Sequence, residues 1–156
     1  MTIPENRSNS KGPLPPLILL IALVLQVTSH LFLPFARLIP SPWNISGGVL
    51  ILAGLALAVA ADGQFKRAET TVRPFEQPRA LVTKGMFAFT RNPMYLGMVV
   101  VLLGVGIALG TLTPLIMVPF FVLVIDIRFI RMEEAVLAEC FGDEYRAYAR
   151  RVRRWL

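Results

Sequence analysis

"MYLGMVVVLLGVGIALGTLTPLIMVPFFVLVIDIRFI" (residues 94–130) decides the fold. Two apolar runs, 94–110 and 115–130, are joined by the turn "GTLTP" (110–114). Each approaches the roughly 20 apolar residues that cross a hydrocarbon core, with about 17 as the lower edge. Two similar runs lie upstream, "LPPLILLIALVLQVTSHLFL" (14–33) and "ISGGVLILAGLALAVAA" (45–61). The composition, 55% hydrophobic and 17% charged over 156 residues, is too apolar for a soluble domain of this size. The expectation is one all-α integral membrane domain over 1–156. Its spans are about 14–33, 45–61, 93–110 and 113–130, with a loop at 62–92 and a C-terminal segment at 131–156.

Arg7 and Lys11 precede the first run as they would in a signal peptide. However, "QVTSHLFLPF" (26–35) stays apolar and offers no small-residue cleavage site, so the run reads as a retained span. Lys66, Arg67, Arg73, Arg79, Lys84 and Arg91 lie between the second and third spans, and Arg131, Arg146, Arg150, Arg151, Arg153 and Arg154 follow the fourth. The other connections hold only Arg37. The positive-inside rule therefore makes both termini and the 62–92 loop cytoplasmic. The net charge of +6 gathers at that face, which suits anionic lipid headgroups and not nucleic acid. A single cysteine, Cys140, excludes an internal disulfide, and nothing spaces like a metal site. Four short spans leave self-association open.

"TRNP" (90–93) stands at the threshold of the third span. Pro93 suits the first helical position, and Asn92 then falls at the N-cap, where its side chain can accept from an orphan N–H. Pro93 to Gly110 is 18 residues, about 27 Å of helix. Thr113 to Ile130 returns over the same length. Equal arms bring Arg131, Glu133 and Glu134 back to the level of Arg91 and Asn92. A helix start favours an anion, and two carboxylates opposite it favour an ammonium or sulfonium. An amino acid moiety carries both charges, though such an acidic pair can equally be solvated at the interface. Gly97, Gly104, Gly106 and Gly110 thin one side of the third span, and Gly106 with Gly110 forms a GxxxG pair. They either let helices approach or, around Gly104-Val105-Gly106, leave room for a ligand. Asp126, about a turn inside the fourth span, is either functional or ion-paired to Arg128 or Arg131. His30 reads as an interfacial or packed residue.

"ALVTKGMFAFTRNPMYLG" (80–97) followed by "RMEEAVLAECFGDEYRAYARRVRRWL" (131–156), together with "FKRAETTVRP" (65–74), resembles the isoprenylcysteine carboxyl methyltransferase family, a relative of the membrane phospholipid N-methyltransferases. The likeness covers roughly residues 63–156. It implies S-adenosylmethionine as cofactor, bound at the cytoplasmic mouth of the hairpin and capped by the C-terminal segment. Carried over by position, Lys84, Gly85, Arg91, Asn92, Pro93, Tyr95 and Gly97 fall on the cofactor-side motif, Glu133 and Glu134 on the acidic pair, and Tyr145 and Tyr148 on the C-terminal segment. Arg91, Glu133 and Glu134 are the implied catalytic set. Relatives commonly carry a Gly-Pro-Tyr-Arg-Tyr-like stretch where this chain has Gly85-Met86-Phe87-Ala88-Phe89, without those hydroxyls or that arginine.

Methyl transfer from a sulfonium suits such a chain, because proximity and alignment supply much of the rate. One His and one Cys equip it poorly for triad hydrolysis. A carboxylate acceptor needs no base; a protonated amine needs one, with Glu133, Glu134 or Asp126 as candidates. Beyond Gly142, a helix stop, and Asp143, a cap, Tyr145, Tyr148, Val152 and Trp155 recur at helical spacing with arginines between them. That pattern reads as an interfacial amphipathic helix, an anchor and a lid at once. The expected function is methylation of a lipophilic acceptor, a prenylcysteine-type carboxylate or a lipid headgroup. The competing readings are a nicotinamide-dependent membrane reductase and a non-enzymatic membrane scaffold.

Overall fold

A computed structural model describes residues 14–68 and 78–156. Arg7, Lys11, Arg73 and part of the 65–74 motif lie outside the described residues. Five helices follow in order: α1 (Pro15–Phe32), α2 (Ser46–Arg67), α3 (Pro93–Leu109), α4 (Leu112–Ile125) and α5 (Arg131–Arg151). The architecture is all-α, with no named strand among the described residues. Three helical stretches are long and apolar enough to cross a membrane, and α3 is a shorter apolar helix. The protein is an integral membrane protein. Its outward side chains agree: Leu20, Val24, Val49, Leu52, Val59, Phe120 and Leu123 are exposed, as lipid-facing positions should be.

Proline starts α1 and α3, where a missing N–H costs nothing. α3 ends at Gly110, whose φ of 75° turns the chain directly into α4. Gly110 is therefore a helix stop and not half of a packing pair with Gly106, because a left-handed residue cannot continue the helical ridge. α3 is the central helix: α2 lies along it, α4 returns beside it, and α1 packs on α4 and α3. Tyr95, Met98, Leu102, Val118, Phe121, Ile125, Phe129 and Ile130 fill the hairpin core.

The α2–α3 seam is made by glycines at heptad spacing. A Cβ on Gly97 would stand 2.7 Å from the Gly54 carbonyl oxygen, and one on Gly104 would stand 2.7 Å from that of Gly47. Backbone fills both places. At Gly106 a Cβ would meet Leu115 at 2.8 Å and Gln26 at 3.5 Å. The room for a ligand expected around Gly104-Val105-Gly106 is thus taken by α2, Leu115 and Gln26. The buried Gln26 amide donates to the carbonyls of Leu102 (3.1 Å) and Pro114 (2.9 Å), tying α1 to both arms of the hairpin. At the far end His30 Nδ1 lies 2.9 Å from Thr111 Oγ1, a packed histidine.

The fourth apolar run does not stop at 130. The chain stays helical into α5 through a π turn at Asp126–Ile130, a widened turn of the kind often found at functional sites. Gly142 breaks α5 with φ 50° and ψ −120°. No neighbour lies within 4 Å of a Cβ built there, so the backbone angle alone calls for glycine. After the break, Tyr145, Tyr148 and Val152 are buried against Leu81, Leu137, Ala138 and Phe141. This face is filled by protein, because the break folds the second half of α5 back onto the loop before α3.

Candidate active site at the hairpin mouth

The break at Gly142 and the start at Pro93 bring three segments together. Backbone joins them first: the Arg91 N–H donates to the Arg153 carbonyl at 3.0 Å. The buried Thr90 hydroxyl (3.2 Å) and Asn92 Nδ2 (3.0 Å) both donate to the Arg154 carbonyl. Asn92 holds the N-cap position, yet its side chain makes no cap bond. The tail carbonyl is the acceptor it satisfies instead.

The charged groups follow. Arg91 reaches Glu134 through Nη2 (3.2 Å) and the Tyr145 hydroxyl through Nη1 (3.2 Å). Arg154 forks onto Glu134 through Nε (3.1 Å) and Nη2 (2.6 Å), and its Nη1 reaches Asp126 at 3.0 Å. Asp126 also accepts from Arg131 at 2.9 Å, so its partners are Arg131 and Arg154 and not Arg128. The bond to Glu134 raises the Arg154 pKa further. Glu134 and Asp126 are each neutralised by two arginines.

Glu133 differs from its neighbour. Tyr95 donates to it at 2.6 Å, and among the described residues no cation pairs with it. Burial pushes its carboxyl up to about 7; the Tyr95 bond opposes that rise and the charge of Glu134 adds to it. Arg91 Nε is buried without a partner among the described residues. The Tyr148 hydroxyl donates to the Phe87 carbonyl at 2.7 Å, and burial pushes its pKa up to about 12.

Of the residues singled out in the sequence, Arg91, Asn92, Tyr95, Glu133, Glu134 and Tyr145 converge here, with Pro93 setting the helix start and Tyr148 closing one side. Lys84 and Gly85 do not join them: their 3-10 turn lies against Gln64 of α2, whose Oε1 accepts from the Met86 N–H at 3.3 Å. Gly97, Gly104 and Gly106 belong to helix seams. Thr90 and Arg154 were not anticipated. Arg154 is one of several arginines in the tail, and only docking distinguishes it. No group of residues suited to a metal ion occurs among the described residues.

A membrane-embedded helical hairpin, with a polar site at one mouth closed by its own C-terminal segment, is the class of protein defined so far. The chain belongs to the phospholipid methyltransferase family, whose model matches residues 43–144. It is thus a membrane methyltransferase by family. A stretch of 63 residues, 40% of this chain, is 44% identical to the whole of an uncharacterized protein of Haemophilus influenzae. Another of 72 residues, 46% of the chain, is 33% identical to the protein-S-isoprenylcysteine O-methyltransferase of Schizosaccharomyces pombe, of which it spans 30%. No solved structure matches significantly.

Proposed function

We propose that the protein transfers a methyl group from S-adenosylmethionine to a lipophilic acceptor at the cytoplasmic mouth of the α3–α4 hairpin. One observation carries this reading: among the described residues the enclosed Glu133 carboxyl is joined to Tyr95 alone and pairs with no cation, while neighbouring Glu134 and Asp126 are each neutralised by arginines. A buried carboxyl of that kind suits a cationic ligand.

The donor set fits an amino acid moiety. Glu133 would accept from its ammonium, and the unpartnered Arg91 Nε–H would donate to its carboxylate. Tyr145 and Glu134 hold the Arg91 guanidinium from two sides, which fixes the plane of that donor. Tyr148, pinned to the Phe87 carbonyl, would keep water from that side. When bound, S-adenosylmethionine supplies an activated methyl on sulfur, so the protein's task is alignment. With an amine acceptor, Glu133, Glu134 or Asp126 would take up the proton. The yeast relative's name makes a prenylcysteine carboxylate one acceptor to test, and the family's description makes a phospholipid another. The exposed Arg146, Arg150, Arg151 and Arg153 support binding of this end to anionic lipid.

The test is a titration of the purified full chain in lipid nanodiscs with S-adenosylmethionine, with a nicotinamide dinucleotide as the control. Saturable binding of the first alone, lost in Glu133→Gln, is the expected result. Binding of the dinucleotide alone would make the protein a reductase, and binding of neither would leave a scaffold.

A further inference from the structure

We infer that Arg154 is the positioning residue of this site, holding the Thr90–Asn92 segment and the acidic pair in register through its main chain and side chain together. The inference rests on the methyl-donor reading above. It concerns a residue beyond the segment that the family model matches, residues 43–144.

Four contacts carry it. The Arg154 carbonyl is the shared acceptor for Thr90 and Asn92, both buried, and so fixes the entry to α3. Its guanidinium forks onto Glu134 on the first turn of α5 and extends to Asp126 on the π turn. A planar fork can serve two carboxylates at once, which an ammonium cannot do with the same geometry. Trp155, the next residue, packs on the hairpin core and anchors the segment. The side chains of Arg150, Arg151 and Arg153 are exposed; Arg153 adds only its carbonyl, which accepts from the Arg91 N–H.

The electrostatic result is selective. Glu134 faces Arg91 from the loop, Arg154 from the tail, Tyr145 from the second half of α5 and Glu133 beside it. Its shortest contact is to Arg154, at 2.6 Å against 3.2 Å to Arg91. Without Arg154, Glu134 would depend on Arg91 alone and would compete with Glu133 for a cationic ligand. Arg91 would keep Tyr145 but pair with a Glu134 no longer clamped from the tail, and Asp126 would keep only Arg131.

The experiment compares Arg154→Gln and Arg154→Lys in the full chain in nanodiscs. S-adenosylmethionine affinity is measured by calorimetry between pH 5.5 and 9, and hydrogen exchange at the Arg91 amide is measured in ligand-free protein. Both variants are expected to bind at least about tenfold more weakly, the cost of one charge-assisted bond. The Gln variant is expected to show faster exchange at the Arg91 amide, as Glu134 and the tail lose the clamp that holds them together. Wild-type affinity with wild-type exchange at the Arg91 amide in Arg154→Gln overturns the inference. If the Gln variant does not fold, Arg154→Lys decides: a tenfold loss upholds the assignment and wild-type binding overturns it. A Glu133→Gln arm separates the two claims. Weakened binding there with unaffected Arg154 variants removes Arg154 alone, whereas unchanged binding in Glu133→Gln removes the site itself.

Discussion

Glu133 and Glu134 are adjacent in sequence and opposite in situation, so the same substitution should act differently on each. Glu133→Gln keeps the shape that Tyr95 donates to and should leave the fold intact. It should weaken S-adenosylmethionine binding by roughly 10- to 150-fold, for a lost charge-assisted bond of about 1.5–3 kcal/mol. Glu134→Gln removes the carboxylate that Arg91 and Arg154 share, leaving them Tyr145 and Asp126, and should cost about 1.5–3 kcal/mol for a lost charge-assisted bond. A melting temperature that drops in Glu134→Gln but not in Glu133→Gln checks the division. The proton on Glu133 adds a sign. Its carboxyl sits at about 7 when folded against an ordinary 4.5, so between those values the folded chain holds a proton that the unfolded chain has released. The Glu133 contribution to ligand-free stability should therefore be full below about pH 4.5 and be lost as pH rises through about 7. Glu133→Gln should flatten that slope, and a slope that persists in the variant would assign it to another group. Arg91→Lys keeps a charge but not the fork that joins Tyr145 and Glu134, nor the spare Nε–H, so methyl transfer should fall while melting stays near wild type. Full activity in Arg91→Lys would reduce Arg91 to a membrane anchor.

At the scale of elements, the hairpin was legible and the seam was not. Pro93 and Gly110 announce a start and a stop because each has a backbone property readable from its own identity. Equal arms then foretell that Arg91 and Glu134 meet. Gly97 and Gly104, by contrast, say only that something comes close, and whether that is α2, α4 or a ligand depends on a partner elsewhere in the chain. The heptad spacing of Gly47 and Gly54 was the available clue. Arg154 was hidden for a related reason: arginines crowd the tail, and composition cannot rank them. The seam itself is testable. Gly104→Ala places a methyl against the backbone of Gly47 and Ile51, which cannot swing aside as a flexible side chain could. Overpacking of this kind costs about 1–3 kcal/mol. The melting temperature should fall, while the same change at Gly48, where a Cβ meets nothing within 4 Å, should be neutral.

For the whole molecule, the asymmetry of charge predicts orientation. Lys66, Arg67, Arg79, Lys84, Arg91 and the arginines of α5 and the tail lie at one end of the helices, and Arg37 lies at the other. The end that carries the site should face the cytoplasm. Single cysteines at the exposed positions Ser41 and Arg150, in a Cys140→Ser background, report this directly. An impermeant maleimide added to intact cells should label position 41 and spare position 150. The reverse pattern would place the site on the opposite face and remove the cytoplasmic part of the proposal.

The bond from Asn92 to the Arg154 carbonyl spans 62 positions of chain, and that separation has a temporal meaning. The ribosome delivers the Thr90–Asn92 segment, and with it the start of α3, before residue 154 is made. Until then the buried Thr90 and Asn92 donors lack their acceptor, and Glu134 lacks its stronger cation. The site is thus completed only after every helix of the hairpin has been synthesised. A chain truncated between α4 and the tail would keep α1 to α4 and lack both the acceptor for Thr90 and Asn92 and the stronger cation of Glu134.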